Sequence, residues 1–244
     1  MGELLLLSNS TAPGMRFLEH ASEAIRAALG GVGTVLFVPF ASGDPDTDTS
    51  VIRAALARIG TRVTSLHETS DVAAAVRDAE AVFVGGGNSF RLLRTLIRLG
   101  VLDALRQVAR DGVPYLGASA GSNLACPSIR TTNDMPIVEA APLWALGLIP
   151  FQLNPHYLDP DPRSSHQGET RPQRIEEFLE ENDVPVLGLR EGAWLRVSGQ
   201  RAVLSGNGTG RLFRRHAPPA DVPAGADLSG LLGTEPRFDV GRDG

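Results

Sequence analysis

The sequence predicts an α/β fold, a mostly parallel sheet flanked by helices and finished by a C-terminal β-hairpin. Three observations carry this prediction. Short apolar runs recur along the chain, the stretches between them space apolar residues helically, and glycines fall where those helices would have to stop. Strands alternating with helices of this length form βαβ units, which pair their strands in parallel.

Taken in order, residues 4–7 are four leucines behind an acid, Glu3, with no basic region before them. That pattern is expected of a first strand and not of a signal peptide. Residues 16–29 place Phe17, Ala21, Ala24, Ile25 and Ala28 on one helical face, and Gly30 and Gly31 follow as a cap. Strands at 35–38, 63–66, 81–84 and 113–116 alternate with helices at 51–59, 72–79, 90–99 and 102–109. Beyond these the pattern loosens. Residues 133–136 and 155–168 are polar and proline-rich, as functional loops often are, while 148–153 form an apolar run that reads as a strand. A helix is expected at 172–181 with Thr170 near its cap, then strands at 186–189, 193–197 and 201–204, the last two joined through Ser198 and Gly199. The expected organisation is one domain over 1–216 and a loosely ordered tail over 217–244.

Composition narrows the function. A formal charge of −5 argues against a general nucleic-acid binder, since phosphate neutralisation needs a basic surface. No apolar segment approaches the roughly 18–20 residues that span a bilayer. The lone Cys126 cannot form an internal disulfide, and no Cys/His cluster has zinc spacing. All 23 basic residues are arginine. Without lysine there is no Schiff base, no covalent pyridoxal phosphate and no Walker-type phosphate loop. The expectation is a cytoplasmic protein with no cofactor or metal, no nucleic-acid or membrane partner, and a homodimer left open.

Ligands of open parallel sheets sit beyond the carboxyl ends of the strands. Three segments fall there: residues 8–11, the GGGN of 85–88, and YLGASAGSN at 115–123. GGGN is either a plain turn or a place where a ligand oxygen meets backbone N–H groups. GASAG fits G-x-S-x-G between a strand and a helix, the pattern of a nucleophile elbow on Ser119. Ser122 would fall one turn into the helix, in a supporting role. A serine nucleophile needs a base. Of five histidines, His156 follows an apolar run at the same sheet edge, with His166 as its substitute; His20, His67 and His216 read as surface or structural. Asp134 is the candidate carboxylate to orient the imidazole, with Asp159 and Asp161 as competitors. Only 37 residues separate Ser119 from His156, too few for an α/β-hydrolase and consistent with another sheet architecture carrying the same chemistry.

Several blocks together, LLLLSNST, VGGGNSFRLL, GASAGSNLACPSIRTTNDMPIV, QLNPHY and GETRPQRI, resemble the peptidase E family. These are the α-aspartyl dipeptidases of a serine peptidase family that also contains cyanophycinases, and the resemblance runs from residue 4 to about 204. It implies hydrolysis of dipeptides that begin with an unblocked aspartate, on a class I glutamine amidotransferase-like (flavodoxin-like) fold. Carried over by motif, it implies Ser119, Asp134 and His156 as the triad and the N–H groups of Gly87 and Ala120 as the oxyanion hole. For the substrate's charged groups, GETR offers Arg171 to a carboxylate and Glu169 to an amine, though both could simply open the following helix. Asn88 is taken as a further substrate contact and Arg130 as a weaker candidate for carboxylate binding. Residues 42–49, 158–165 and the tail depart from the family pattern, which leaves the breadth of substrate choice open. The alternatives are a cyanophycinase-like peptidase cutting β-Asp-Arg units, using the same serine, and a non-catalytic module binding an anion at GGGN. A cysteine amidotransferase is disfavoured, because the elbow holds serine and Cys126 lies elsewhere.

Overall fold

A computed structural model describes residues 2–163, 165 and 167–241. Strand β1 (Glu3–Leu7) illustrates why the apolar runs become strands: Leu4 and Leu6 enter one apolar layer, Leu5 and Leu7 the other. A run buried on both faces belongs in the middle of a covered parallel sheet. Strands β2 (Thr34–Val38), β3 (Arg62–Ser65), β4 (Val82–Val84) and β5 (Tyr115–Ala118) run parallel to β1. Between and after them lie α1 (Ser22–Leu29), α2 (Pro45–Ala57), α3 (Val72–Arg77), α4 (Ser89–Leu99), α5 (Leu102–Arg110) and the short α6 (Ala120–Leu124).

The chain then leaves the sheet for β6 (Gln152–Pro155), α7 (Arg171–Glu181) and β7 (Val186–Leu189). It returns as the expected hairpin, β8 (Ala193–Ser198) and β9 (Arg201–Gly206), which adds to the free side of β1. The main sheet has the order β3-β2-β4-β5-β1-β8-β9. A second sheet has the order β11-β10-β7-β6, where β10 is Gly210–Arg214 and β11 is Ala217–Val222. Residues 148–153 do not start a strand at once. The N–H groups of Leu148 and Ile149 go to the Ala125 carbonyl, and Pro150 has none to give, so β6 begins only at Gln152.

Two further expectations change. The helix expected over 51–59 starts earlier, within residues 42–49: Asp44 accepts from the Thr47 N–H at 3.0 Å, and Pro45 sits at the first helical position. The tail from Ala217 is ordered through the described residues. Strand β11 pairs with β10, Leu228 and Leu231 are buried, and Asp239 bonds both terminal nitrogens of Arg130. Its polar, proline-rich sequence concealed a strand at a sheet edge, where proline's missing donor does no harm. Among the described residues, no helix is long and apolar enough to cross a membrane.

Candidate active site

Ser119 stands between β5 and α6 with φ 51° and ψ −107°, outside the regions that L-residues ordinarily occupy. The turn is held from both directions. Its N–H donates to the Leu7 carbonyl at 3.0 Å, and its own carbonyl accepts from Ser122 and Asn123 at 2.9 and 3.0 Å. The flanking glycine is obligatory: a Cβ on Gly121 would stand 2.2 Å from the Val84 carbonyl oxygen. Such strain persists only where the surroundings over-determine it. Ser122 is fully buried behind the turn, its hydroxyl reaching the Leu7 and Gly117 carbonyls at 2.7 and 3.0 Å.

The Ser119 hydroxyl lies 3.0 Å from Nε2 of His156, which begins the loop after β6. The other ring nitrogen, Nδ1, lies 2.9 Å from Oε1 of Glu191, in the turn after β7. Strand pairing explains the meeting. Pro155 is in register with Leu189 across parallel strands, so the residues that follow each emerge side by side. Ser8 and Asn9, just past β1, tie both loops to the main sheet. Ser8 accepts from the His156 N–H at 2.9 Å and donates to the Leu189 carbonyl at 2.8 Å, while Asn9 accepts from the Gly192 N–H at 2.8 Å. Arg190 adds a clamp, donating to Asp159 at 2.8 Å and to Asp221 at 3.0 Å while lying over the Tyr157 ring. Its hydrogen bond holds the Asp159 carboxyl below the ordinary carboxylate value.

The acid partner of His156 is therefore Glu191, which corrects the expectation for Asp134. Oδ2 of Asp134 accepts from the Ser89 N–H at 2.7 Å and from the Thr132 hydroxyl at 3.0 Å, and no bond to His156 occurs among the described residues. Asp134 is nonetheless close to the serine's surroundings. Its neighbour Asn133 donates to the Pro155 carbonyl, next to His156, and Ser89 is two residues from Gly87. The two competitors, Asp159 and Asp161, bind arginines instead.

The other candidates divide. Arg171 opens α7, half-buried; burial lowers its pKa from the ordinary value, the like charge of Arg174 adds to this, and Asp134 opposes it. The guanidinium thus feels Asp134 yet has no hydrogen bond or ion pair of its own among the described residues. Glu169 is exposed and pairs with Arg174 at 3.5 Å. The helix cap between them is a reciprocal pair, Thr170 with Gln173. Asn88 is held by both ends of its amide, which keeps one N–H and one lone pair available. The oxygen caps α4 at the Arg91 N–H, and the nitrogen donates to the Met135 carbonyl at 2.8 Å. Arg130 is bound to Asp239 and packed against Trp144 and Phe238, away from the serine's cavity. Burial pushes the Cys126 thiol up to about 12, unsuited to nucleophilic attack. His67 bridges Ser65 and Asp46, His20 lies at a tilt to the Trp194 ring, and His216 is in the turn between β10 and β11. His166 lies outside the described residues.

A cavity of about 310 Å³ opens beside Ser119, lined also by Gly86, Gly87, His156 and Glu191. Gly87 has φ 133°, and a Cβ there would lie 2.5 Å from the Ala41 carbonyl oxygen. Its N–H and that of Ala120, the residue after the serine, take no acceptor among the described residues. Glu191 escaped the sequence reading because one acid in LREGAW carries no local signature; only the pairing of β6 with β7 brings it to His156.

Known proteins resemble the chain in sequence and in fold. The pattern of peptidase family S51 matches residues 4–205. The chain is 58% identical over 238 residues to Peptidase E of Streptomyces coelicolor, covering 98% of each sequence. It is 47% identical to the "Probable alpha-aspartyl dipeptidase" of Drosophila melanogaster, over 94% of this chain and 97% of the other. In fold it resembles the crystal structure of a peptidase from an acI-B1 Actinobacterium, with TM-score 0.68 and 17% identity over 93% and 96% of the two chains. A strained serine in reach of a histidine, on this sheet and with matches that span nearly the whole chain, has one conclusion: the chain belongs to peptidase family S51.

Proposed function

We propose that the chain is a serine dipeptidase that hydrolyses dipeptides with a free N-terminal aspartate. The observation that carries this reading is the continuous hydrogen-bonded path from Ser119 Oγ through the His156 ring to Glu191. Support for the substrate comes from relatives named peptidase E and α-aspartyl dipeptidase.

In this mechanism Glu191 fixes the His156 tautomer so that Nε2 can accept the Ser119 proton. Ser119 Oγ attacks the scissile carbonyl, and the resulting oxyanion receives the N–H groups of Gly87 and Ala120, each donor worth about 3 kcal/mol. His156 returns the proton to the leaving amine as the C–N bond breaks. Water, deprotonated by the same nitrogen, then cleaves the acyl-enzyme and releases aspartate. Arg171 receives the substrate's side-chain carboxylate, because a guanidinium with no hydrogen bond or ion pair among the described residues is suited to a two-pronged match. Asp134, beside Arg171 and with Oδ1 unbonded among the described residues, meets the free α-amine in preference to the exposed Glu169.

A panel of Asp-Leu, Glu-Leu, Ala-Leu, acetyl-Asp-Leu and β-Asp-Arg tests the reading on wild type and Ser119→Ala. Cleavage of Asp-Leu alone, lost in Ser119→Ala, is the expected result. Failure to cleave Asp-Leu overturns the assignment, and cleavage of β-Asp-Arg in its place favours a cyanophycinase-like enzyme.

A further inference from the structure

We propose that the cavity beside Ser119 takes the residue following aspartate and sorts it by charge, admitting apolar and cationic side chains and disfavouring acidic ones, with Asp48 as the deciding residue. The inference rests on the dipeptidase reading and adds the identity of the leaving residue.

Orientation comes from the proton. The leaving nitrogen must face Nε2 of His156, the atom that protonates it. His156 and Glu191 line the cavity, whereas Asp134, Glu169 and Arg171 do not. The cavity is thus on the leaving-group side of the scissile bond, and the aspartate side lies beyond Gly87, towards Asp134.

The walls of the cavity set the selection. Phe17 and Val51 present apolar surface to the cavity over the buried Phe37 and Ile52, and Val51 is 39% exposed. Such a surface favours aliphatic and aromatic side chains, or the methylene stem of a long cationic one. The charge lining the cavity is acidic. Glu191 is engaged with His156, and Asp48, in the first turn of α2, has no hydrogen bond or ion pair on its carboxylate among the described residues. Among the described residues no arginine lines the cavity; Arg91, whose guanidinium lies against Gly43, is outside it. A second carboxylate entering here meets Asp48 with no cation to offset it, while an ammonium or guanidinium gains a partner. The free C-terminal carboxylate is common to every dipeptide and cancels from such a comparison.

The experiment measures kcat/KM for Asp-Leu, Asp-Lys and Asp-Glu with wild type, Asp48→Asn and Asp48→Arg. Wild type is expected to prefer Asp-Lys over Asp-Glu by about tenfold, the combined effect of one gained and one repelled partly screened charge pair. Asp48→Asn should level that preference and Asp48→Arg should invert it, the ratio of Asp-Lys to Asp-Glu being read within each variant so that any common change in rate cancels. Asp-Leu also reports folding, and a merely structural role for Asp48 at the start of α2 would move all three substrates together. An equal wild-type rate on Asp-Lys and Asp-Glu, or a preference untouched by both substitutions, overturns the inference while Asp-Leu cleavage leaves the dipeptidase reading standing. Loss of Asp-Leu cleavage in wild type overturns both.

Discussion

The seven-stranded sheet presents Ser119, while the loops after two strands of the four-stranded sheet present His156 and Glu191, and the two are specified by different means. Ser119 is specified locally. A strand end, two glycines and a tight turn are contiguous in sequence, and their spacing alone puts the hydroxyl at the sheet edge. His156 and Glu191 are specified by pairing: 35 residues apart, they meet because Pro155 is in register with Leu189. A nucleophile can therefore be read from five residues, whereas its base and acid depend on a register spanning much of the chain.

Each side of that comparison can be broken separately. Ser119→Ala should have the largest effect, roughly a million-fold in kcat, the scale seen when the nucleophile of a comparable triad is removed. Glu191→Gln should cost about a thousandfold in kcat, less than for a fully buried acid because Glu191 is more than half exposed. Gly121→Ala attacks the elbow through folding, since the added Cβ meets a backbone carbonyl that cannot move aside. A stability loss of about 3 kcal/mol, read by chemical denaturation, is expected. Arg171→Ala should raise KM for Asp-Leu by roughly ten- to a hundredfold, the range for losing a charge-assisted hydrogen bond, with a smaller effect on kcat.

The smallest expected effect lies in the clamp behind the catalytic loop. Arg190 lowers the Asp159 pKa, so the pair's contribution to stability is complete above the ordinary carboxylate value of about 4 and is lost as pH falls through the lowered one. Asp159→Asn should then lower stability slightly at pH 7, by no more than about 1 kcal/mol for so exposed a pair and read as a small fall in Tm, and not at all once Asp159 is protonated in both states. A difference in Tm that persists undiminished into strong acid would remove the ion pair from the account.

The same contrast explains what the sequence revealed. The parallel strands and their helices were legible because each buries a periodic apolar set, and the small residues around Ser119 mark a turn that few other sequences can make. Three features were not. Asp134 stood in a polar loop at a plausible distance from the serine, and nothing local distinguishes an acid that supports Ser89 from one that orients a histidine. Glu191 lay in an unremarkable turn. Strand β11 carries prolines and few apolar residues, and its place is fixed by pairing with β10. In all three, the deciding contact is distant in sequence.

The central claim is that Glu191 and not Asp134 completes the path from Ser119 through His156. The direct test is the rate at which a fluorophosphonate labels Ser119, followed by mass spectrometry in wild type, Glu191→Gln and Asp134→Asn. The reagent carries no aspartate, so it reports the nucleophile apart from substrate binding. The account predicts labelling strongly slowed in Glu191→Gln and near the wild-type rate in Asp134→Asn; the reverse pattern would contradict it.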